Sequence, residues 1–207
     1  MRKQRLMYFE KKIEMNNIKS IVDEIFSLYE RYGHEDYIGE PVSQIEHMSQ
    51  AAQLAINDRM DDEIILAAFF HDIGHICVSK EKDNDMGGYG IKSHEKIGAD
   101  YLRSKGLPER IARLVEGHVE AKRYLTFKNP DYFNNLSEAS KKTLEYQGGV
   151  MTKEEAEAFE NEPLFDDILM MRKWDELAKE MNVPLVDMDV LKDKALRVLA
   201  ESVQRSI

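Results

Sequence analysis

The stretch IILAAFFHD at residues 64–72 joins seven apolar residues to the pair His71 and Asp72. Neighbouring side chains on a helix diverge by about 100°. His71 can therefore bind one metal ion while the short Asp72 carboxylate reaches that ion and a second one. Imidazole with carboxylate is the ligand mixture of iron, manganese and zinc enzymes. A His-Asp pair alone is common and usually marks a helix end, so the prediction of a metal site depends on the other histidines and acids.

The spacing of apolar residues predicts an all-α fold, because it is helical throughout and no stretch alternates convincingly enough for a strand. Asp61 is a good N-cap for a helix that runs through His71 and Asp72 and ends at Gly74. Residues 1–17 are polar, and we expect them to be frayed. Further helix starts are indicated by N-cap residues and a capping box at Ser93, Ser137 and Thr152 with Glu155.

Composition limits the classes of partner. The chain has 29 basic and 39 acidic residues, and its net charge of −10 argues against general attraction to nucleic acid or to anionic membranes. The single cysteine, Cys77, excludes an internal disulfide and fits a reducing compartment. No apolar stretch approaches the roughly 20 residues of a membrane span, and the N-terminus lacks the apolar centre of a signal peptide. We therefore expect a cytoplasmic protein with no membrane or nucleic-acid partner.

Several histidines and an aspartate are predicted to point into the core. His47 and His118 each share a face with apolar residues, and Asp175 does so near the C-terminal end. A lone inward histidine is more often a hydrogen-bonded core residue than a ligand, since burial without a partner costs about 1–3 kcal/mol. An ionised carboxylate, however, is rarely buried unpaired. Four or five such histidines together with two acids favour a metal site over separate core residues.

The order of these residues resembles a known superfamily. A histidine, a His-Asp pair and a distant aspartate, here His47, His71 with Asp72, and Asp175, are similar to the pattern of the HD-domain metalloproteins. That resemblance implies a bundle of helices around a metal site. His94 and His118 further resemble the dinuclear branch of the superfamily, in which six side chains hold two metal ions. By this resemblance one ion is surrounded by His47, His71, Asp72 and Asp175, and the other by Asp72, His94 and His118, with Asp72 bridging.

Longer strings resemble one family of this branch more closely. They are DYIGE at 36–40, AAFFHDIGH ending at His75, MGGYG from Met86, HEKIGADYLR from His94, EGHVEAKRYL from Glu116, KTLEYQGG from Lys142 and RKWD at 172–175. These strings are similar to the glycine-forming 2-amino-1-hydroxyethylphosphonate dioxygenases, which are mixed-valent diiron oxygenases. The likeness extends from Asp36 to about Leu177. It implies two iron ions, Fe(II) and Fe(III), with O2 as co-substrate, and cleavage of the carbon–phosphorus bond of a small organophosphonate to give glycine and phosphate.

Two cations accompany the predicted ligands. Lys122 lies one turn after His118, and Arg172 lies three residues before Asp175, so each should share the face of a ligand. In an acidic protein, two inward cations beside a metal would form a clamp for a phosphonate. The alternative is that they form salt bridges with the ligating carboxylates, and the spacing does not decide between the two. Ser140 matches a position that contacts the phosphonate in the similar family, although a serine in a helix often has no such role.

The resemblance assigns roles to three further residues. It implies that Tyr37 occupies an iron position in the resting site and leaves when substrate arrives, and that Glu40 then meets the ammonium group of the substrate. Without it, Tyr37 would be read as an aromatic anchor in a turn and Glu40 as a solvated acid. His75, one turn after His71, is either a hydrogen-bond donor to substrate or a helix cap.

Domain boundaries and competing functions complete the predictions. We expect one compact unit with an N-terminal helical extension at 1–34, an HD domain at 35–180 and a C-terminal packing helix at 181–207, as a monomer or small homo-oligomer. The main rival function is an HD-type metal-dependent phosphohydrolase acting on a nucleotide or another phosphate ester. A regulatory protein with a decayed site is disfavoured because no expected ligand is missing. A quaternary-ammonium phosphonate is an alternative substrate, although it would favour an aromatic cage over one carboxylate.

Overall fold

The computed structural model describes residues 2–37, 39–78 and 86–205, with side chains from Met15 onward within these ranges. Ile38, within the DYIGE string, lies outside the described residues. The predicted all-α fold is confirmed, since the described residues contain no β-strand and a single isolated bridge joins Asp36 to Ser43. The helices are α1 (Arg2–Tyr32), α2 (Gln44–Asn57), α3 (Asp62–Phe70), α4 (His94–Ser104), α5 (Glu109–Lys128), α6 (Pro130–Asn135), α7 (Glu138–Tyr146), α8 (Lys153–Phe159), α9 (Phe165–Leu177) and α10 (Met188–Arg205), with a 3₁₀ turn at Ile73–His75.

Helix α3 lies at the centre of the bundle. All residues from Ile64 to Phe70 are buried, which is expected for a helix that is apolar on every side. It packs against α2, α5, α9 and α10. Asp61 caps its start, because the Asp61 carboxylate accepts a hydrogen bond from the backbone N–H of Ile64 at 3.0 Å. The residues that follow α3 are consequently held in the middle of the molecule.

The end of α3 differs from the prediction. The helix ends at Phe70, and His71 is its C-cap, so Asp72 lies in a turn with φ −106° and ψ 14° before the 3₁₀ segment. The prediction that His71 and Asp72 are consecutive residues of one α-helix is therefore wrong. Because the turn continues into Ile73–His75, the side chains of His71 and Asp72 are still carried by one short, buried segment.

Gly74 was expected to end a helix, but the structure gives it another role. A Cβ atom at Gly74 would lie 1.9 Å from the carbonyl oxygen of His94, and one at Gly98 would lie 3.1 Å from the backbone nitrogen of Gly74. The two glycines thus let the start of α4 pack directly on the 3₁₀ turn. This close approach brings His94 next to the His71–Asp72 segment.

The two terminal helices pack against each other. Helix α1 begins at Arg2, so the expectation that residues 1–17 are frayed is wrong for the described backbone. Its Phe26 and Tyr29 rings stack on Phe69 at centroid distances of 5.6 and 4.4 Å, which joins α1 to the end of α3. Across the described ranges, no helix combines the length and the apolar character that crossing a bilayer would require.

Candidate metal centre and its cavity

Two histidines from α2 and the end of α3 face each other. The Nε2 atoms of His47 and His71 lie 2.9 Å apart, and both residues are fully buried. On the other side of each ring, Nδ1 of His47 lies 2.9 Å from the carbonyl oxygen of Ala178, and Nδ1 of His71 lies 2.8 Å from that of Ala68. Each ring is therefore held by the backbone and presents Nε2 to its partner.

A second pair repeats this arrangement. His94, the first residue of α4, and His118, in the middle of α5, have Nε2 atoms 3.2 Å apart. Their Nδ1 atoms lie 3.2 Å from the carbonyl oxygen of Ile91 and 2.6 Å from that of Val115. Both residues are buried, so solvent has almost no access to either imidazole.

The carbonyl contacts fix the tautomers of the four rings. A carbonyl oxygen can only accept a hydrogen bond, so Nδ1 carries the proton and the neutral ring has its lone pair on Nε2. Two lone pairs that face each other at 2.9 or 3.2 Å repel unless a cation or a proton lies between them. Such a backbone-oriented imidazole is the form in which histidine binds metals.

Asp72 lies between the two pairs. Its Oδ2 is 3.5 Å from Nε2 of both His47 and His71, whereas its Oδ1 is 3.2 Å from Nε2 of His94 and 3.5 Å from that of His118. Oδ2 is buried and has no hydrogen-bond partner among the described residues. A buried, unpaired carboxylate oxygen is costly, and a metal ion would compensate it. The arrangement could accordingly hold two ions with Asp72 between them.

Asp175, on α9, belongs to the first pair. Its Oδ1 lies 3.4 Å from Nε2 of His47 and 3.9 Å from that of His71. Its Oδ2 accepts a short charge-assisted hydrogen bond from Nη1 of Arg172. Burial opposes ionisation, but the Arg172 charge and the neighbouring imidazoles keep the pKa of Asp175 well below its usual value. The carboxylate is therefore ionised and available to a metal.

The pKa values differ within each histidine pair. Although burial opposes the charged form, Asp175 and Asp72 raise the pKa of His47 to about 9, whereas burial lowers that of His71. In the second pair, burial again opposes charge, yet Asp72 raises the pKa of His94, whereas burial lowers that of His118 to about 3. In each pair the neighbouring aspartates thus favour a positive charge, which either a proton or a metal ion between the two rings would supply.

His75 has the opposite tautomer. Its Nδ1 accepts a hydrogen bond from the backbone N–H of Ile91 at 3.1 Å, which leaves the proton of the neutral ring on Nε2. The ring stacks on His94 at a centroid distance of 4.1 Å, and burial holds its pKa well below the usual value. Although His75 forms a geometric cluster with Asp72 and His94, its tautomer makes it a hydrogen-bond donor to the cavity rather than a ligand.

A cavity of about 50 Å³ opens next to these residues. Its volume is far below the roughly 300–1,000 Å³ of pockets that hold drug-sized ligands. Except for His47 and His71, all the predicted site residues lie on the lining of this cavity. They are Tyr37, Glu40, Asp72, His75, His94, His118, Lys122, Ser140, Arg172 and Asp175.

Two cations face this cavity. Lys122 is 3% exposed, and its Nζ donates to Oγ1 of Thr143 at 2.9 Å. Burial and the charge of Arg172 lower the pKa of Lys122 to about 7. Arg172 donates from Nε to Tyr132 and Glu176, and its Nη2 is buried without a hydrogen-bond partner in the described part of the chain. A buried guanidinium nitrogen without an acceptor favours an anionic ligand.

The loop before α2 brings Tyr37 to the candidate metal centre. The backbone N–H of Tyr37 donates to the carbonyl oxygen of Val42 at 3.0 Å, next to the bridge between Asp36 and Ser43. The Tyr37 ring stacks on His47 at a centroid distance of 4.0 Å. Burial and the charges of Asp72 and Asp175 raise the pKa of its hydroxyl well above the usual value, so the phenol stays protonated.

Other cavity residues were not predicted individually. Thr143 and Gln147 lie on the lining, and both are part of the KTLEYQGG string, so the sequence carried a signal for them. Gln44 and Gln147 each have a buried side-chain oxygen without a hydrogen-bond partner among the described residues. Lys179, whose Nζ donates to Oε1 of Glu40 at 2.6 Å, had no sequence signal.

Comparison with known proteins agrees with this geometry. The model of the HD domain matches residues 45–160, more than half of the chain. The chain belongs to the HD-domain family. Among similar proteins, an uncharacterised protein of Acanthamoeba polyphaga mimivirus is 44% identical over 190 residues, covering 90% of this chain and 87% of that protein.

Two further relatives are named as phosphonate dioxygenases. One, 1-hydroxy-2-(trimethylamino)ethylphosphonate dioxygenase (glycine-betaine-forming) of Leisingera caerulea, is 40% identical over 171 residues, covering 83% of this chain and 86% of that protein. The other, hydroxymethylphosphonate dioxygenase of Gimesia maris, is 36% identical over 167 residues, covering 81% and 82%. Within the HD-domain family, the chain therefore belongs with the phosphonate dioxygenases, as the sequence predicted.

Proposed function

We propose that this protein is a diiron oxygenase that uses O2 to cleave the carbon–phosphorus bond of 2-amino-1-hydroxyethylphosphonate. The observation that carries the proposal is the pair of facing imidazoles on each side of Asp72, in a chain related to phosphonate dioxygenases. In the balanced reaction, one substrate and one O2 give glycine, hydrogen phosphate and a proton. The carbon that bears the hydroxyl loses four electrons and O2 gains four, so no external reductant is required.

Six side chains would hold the two ions. His47, His71 and Asp175 would bind one, His94 and His118 the other, and Asp72 would bridge them. Two iron ions, when bound, would supply activation of O2 and a Lewis acid for the substrate oxygens. The mixed imidazole and carboxylate set suits iron, although it would also accept manganese or zinc.

The charges on the cavity lining suit a phosphonate. Lys122 and Arg172 would bind the phosphonate oxygens, together with the hydroxyl of Ser140. At pH values near 7 the Lys122 amine is only partly protonated. A phosphonate dianion that binds beside it would favour its protonated, ammonium form. The amino group would meet Glu40. In this position the substrate is held by charge at both ends, which restrains the orientation of the hydroxyl-bearing carbon.

His75 and Tyr37 would act next to the metals. The Nε2 proton of His75 would donate to a substrate oxygen, because its Nδ1 is already used as an acceptor. Tyr37, stacked on His47, would cover the first ion in the resting state and move when substrate binds. Access of O2 would then depend on the presence of substrate, and water would be excluded from the reacting groups.

The test uses protein loaded with Fe(II) and partly oxidised. On addition of 2-amino-1-hydroxyethylphosphonate, we expect O2 uptake with equal amounts of glycine and phosphate. The 1-hydroxy-2-(trimethylamino)ethyl analogue serves as the comparison substrate, because a relative is named for it. Absence of phosphate from a fully iron-loaded sample, combined with hydrolysis of a nucleoside monophosphate, would replace the oxygenase with the phosphohydrolase.

A further inference from the structure

An ion pair closes part of the cavity wall. Oε1 of Glu40 accepts hydrogen bonds from Nζ of Lys179 at 2.6 Å and from the Ser137 hydroxyl at 2.7 Å. Glu40 lines the cavity beside the metal centre, whereas Lys179 and Ser137 line a second cavity of about 200 Å³. Ser140 lines both cavities. The pair between Glu40 and Lys179 therefore lies at the boundary between them.

The fold fixes the position of Lys179 from both sides. The preceding carbonyl, of Ala178, accepts the hydrogen bond from His47. The following residue, Glu180, makes two hydrogen bonds through its backbone to the side chain of Gln50, at 2.9 and 3.0 Å. The side chain of Lys179 is 20% exposed and that of Glu40 is 10% exposed. This pair is thus built into the wall, unlike the exposed ion pairs of the surface.

Among the described residues of the cavity lining, Glu40 is the acid that is available to bind a cationic group of a substrate. The other two acids of the lining, Asp72 and Asp175, face the histidines, and Asp175 also pairs with Arg172. In the structure, however, Lys179 already balances the charge of Glu40. A substrate ammonium group must share this carboxylate with Lys179 or displace it. A substrate without a cation leaves the pair intact, so no unpaired charge is created in the wall.

We infer that Lys179 determines which phosphonates the cavity accepts, by holding Glu40 in an ion pair that weakens its attraction for a cationic amino group. Lys179 is a positioning residue in this role, since it acts through Glu40. The inference rests on the proposed phosphonate chemistry and extends it to substrate class. It follows that the protein binds a 1-hydroxyalkylphosphonate without an amino group alongside the amino-bearing substrate.

The experiment compares two substrates in three variants. The readout is the ratio of kcat/KM for 2-amino-1-hydroxyethylphosphonate to kcat/KM for hydroxymethylphosphonate, measured with the iron-loaded protein at pH 8. In Lys179→Met, Glu40 loses its ion-pair partner and becomes more attractive to the substrate amino group. The ratio should then rise about five- to tenfold, which is the effect of a charge contact of about 1–1.4 kcal/mol. Lys179→Arg should restore the ratio to near that of the parent. Lys173→Met, which removes an exposed lysine from α9, should leave it unchanged.

A second readout does not require turnover. Calorimetry without O2 gives the dissociation constants of the same two phosphonates, and the ratio of these constants should change in the same direction. If binding ratios change as expected but neither compound releases phosphate, the proposed reaction is wrong while the role of Lys179 stands. If Lys179→Met changes both substrates by the same factor, or if neither phosphonate binds to any variant, the inference is wrong.

Discussion

The two walls of the cavity are held in different ways. In the histidine wall, which consists of His94 and His118 on the cavity lining together with His47 and His71 of the neighbouring pair, every ring is fixed by a backbone carbonyl. In the polar wall, which consists of Glu40, Lys122 and Arg172, the charges are held by other side chains: Lys179, Thr143 and Tyr132 with Glu176.

This difference separates fixed groups from exchangeable ones. A backbone partner cannot leave without a rearrangement of the main chain, whereas a side-chain partner can be exchanged for a ligand. We therefore expect the histidine wall to be preorganised for metals and the polar wall to rearrange around substrate. Substitutions in the first wall should act on metal content, and those in the second on substrate binding or selectivity.

The largest effect is expected at the centre of the histidine wall. Asp72→Asn removes the charge that faces both pairs, so both metal ions should be lost and turnover should fall by more than about 100-fold, since loss of an outer-shell partner alone costs about 10–100-fold. His94→Ala should remove mainly one ion. Elemental analysis of purified protein measures both results. Retention of two ions by Asp72→Asn would contradict the claim that the groups at the histidine wall control metal content.

The next effect concerns the two cations of the polar wall. Lys122→Ala and Arg172→Ala should each weaken phosphonate binding by about 1.5–3 kcal/mol, or roughly 10–150-fold in Kd, because a charge-assisted contact is lost. Calorimetry without O2 measures this. Lys128→Ala, on the same helix as Lys122 but exposed, is the matched control.

Metal content must be measured in both variants. Arg172 also contacts Asp175, so its loss can reach the histidine wall through that carboxylate. Parent-like phosphonate binding in both variants would show that these cations are structural partners of the carboxylates, which was the alternative left open by the sequence.

The pH dependence of stability tests the burial of Lys122. Its pKa falls from the usual 10.5 to about 7 in the folded protein. Between these values the unfolded chain holds a proton that the folded chain has released, so the free energy of unfolding should rise with pH by up to about 1.4 kcal/mol per unit. Below pH 7 both states are protonated, and this contribution is constant.

Urea unfolding of the metal-free protein at pH 7.5, 8.5 and 9.5 measures that slope. Lys122→Met should remove the rise, and the difference between parent and variant isolates this lysine from groups such as His47 that titrate in the same range. An identical slope in the two proteins would show that Lys122 is not the neutral, buried amine that its environment indicates.

The smallest effect on phosphonate binding is expected at Tyr132, which contacts Arg172. Tyr132→Phe removes the hydroxyl that accepts from Nε of Arg172 at 2.9 Å and donates to Glu176. Phosphonate binding should weaken about fivefold, the effect of one hydrogen bond of about 1 kcal/mol. Metal content should not change, since the histidine wall is untouched. Tyr32→Phe, an exposed tyrosine on α1, is the control, and equal affinities in the two variants would exclude a positioning role for Tyr132.

Local signals in the sequence were reliable where the structure depends on neighbouring residues. The capping box of Thr152 and Glu155 and the N-caps Asp61 and Ser137 form as predicted, because each hydrogen bond spans three residues. Ser93 occupies the N-cap position of α4, but its φ of 59° leaves the side chain without a capping bond. Helix α6, at Pro130–Asn135, was not predicted and carries Tyr132 to Arg172.

The sequence by itself determined the all-α fold and the inward faces, because helical periodicity is a local property of the chain. The resemblance of its motifs named the residues that converge at the centre. Only the tertiary structure decided which imidazole nitrogen faces the site, since the carbonyl partner of His47 lies 131 residues away at Ala178. It likewise decided the pair of Glu40 with Lys179, which are 139 residues apart. Such contacts depend on how the helices pack, and no local pattern encodes them.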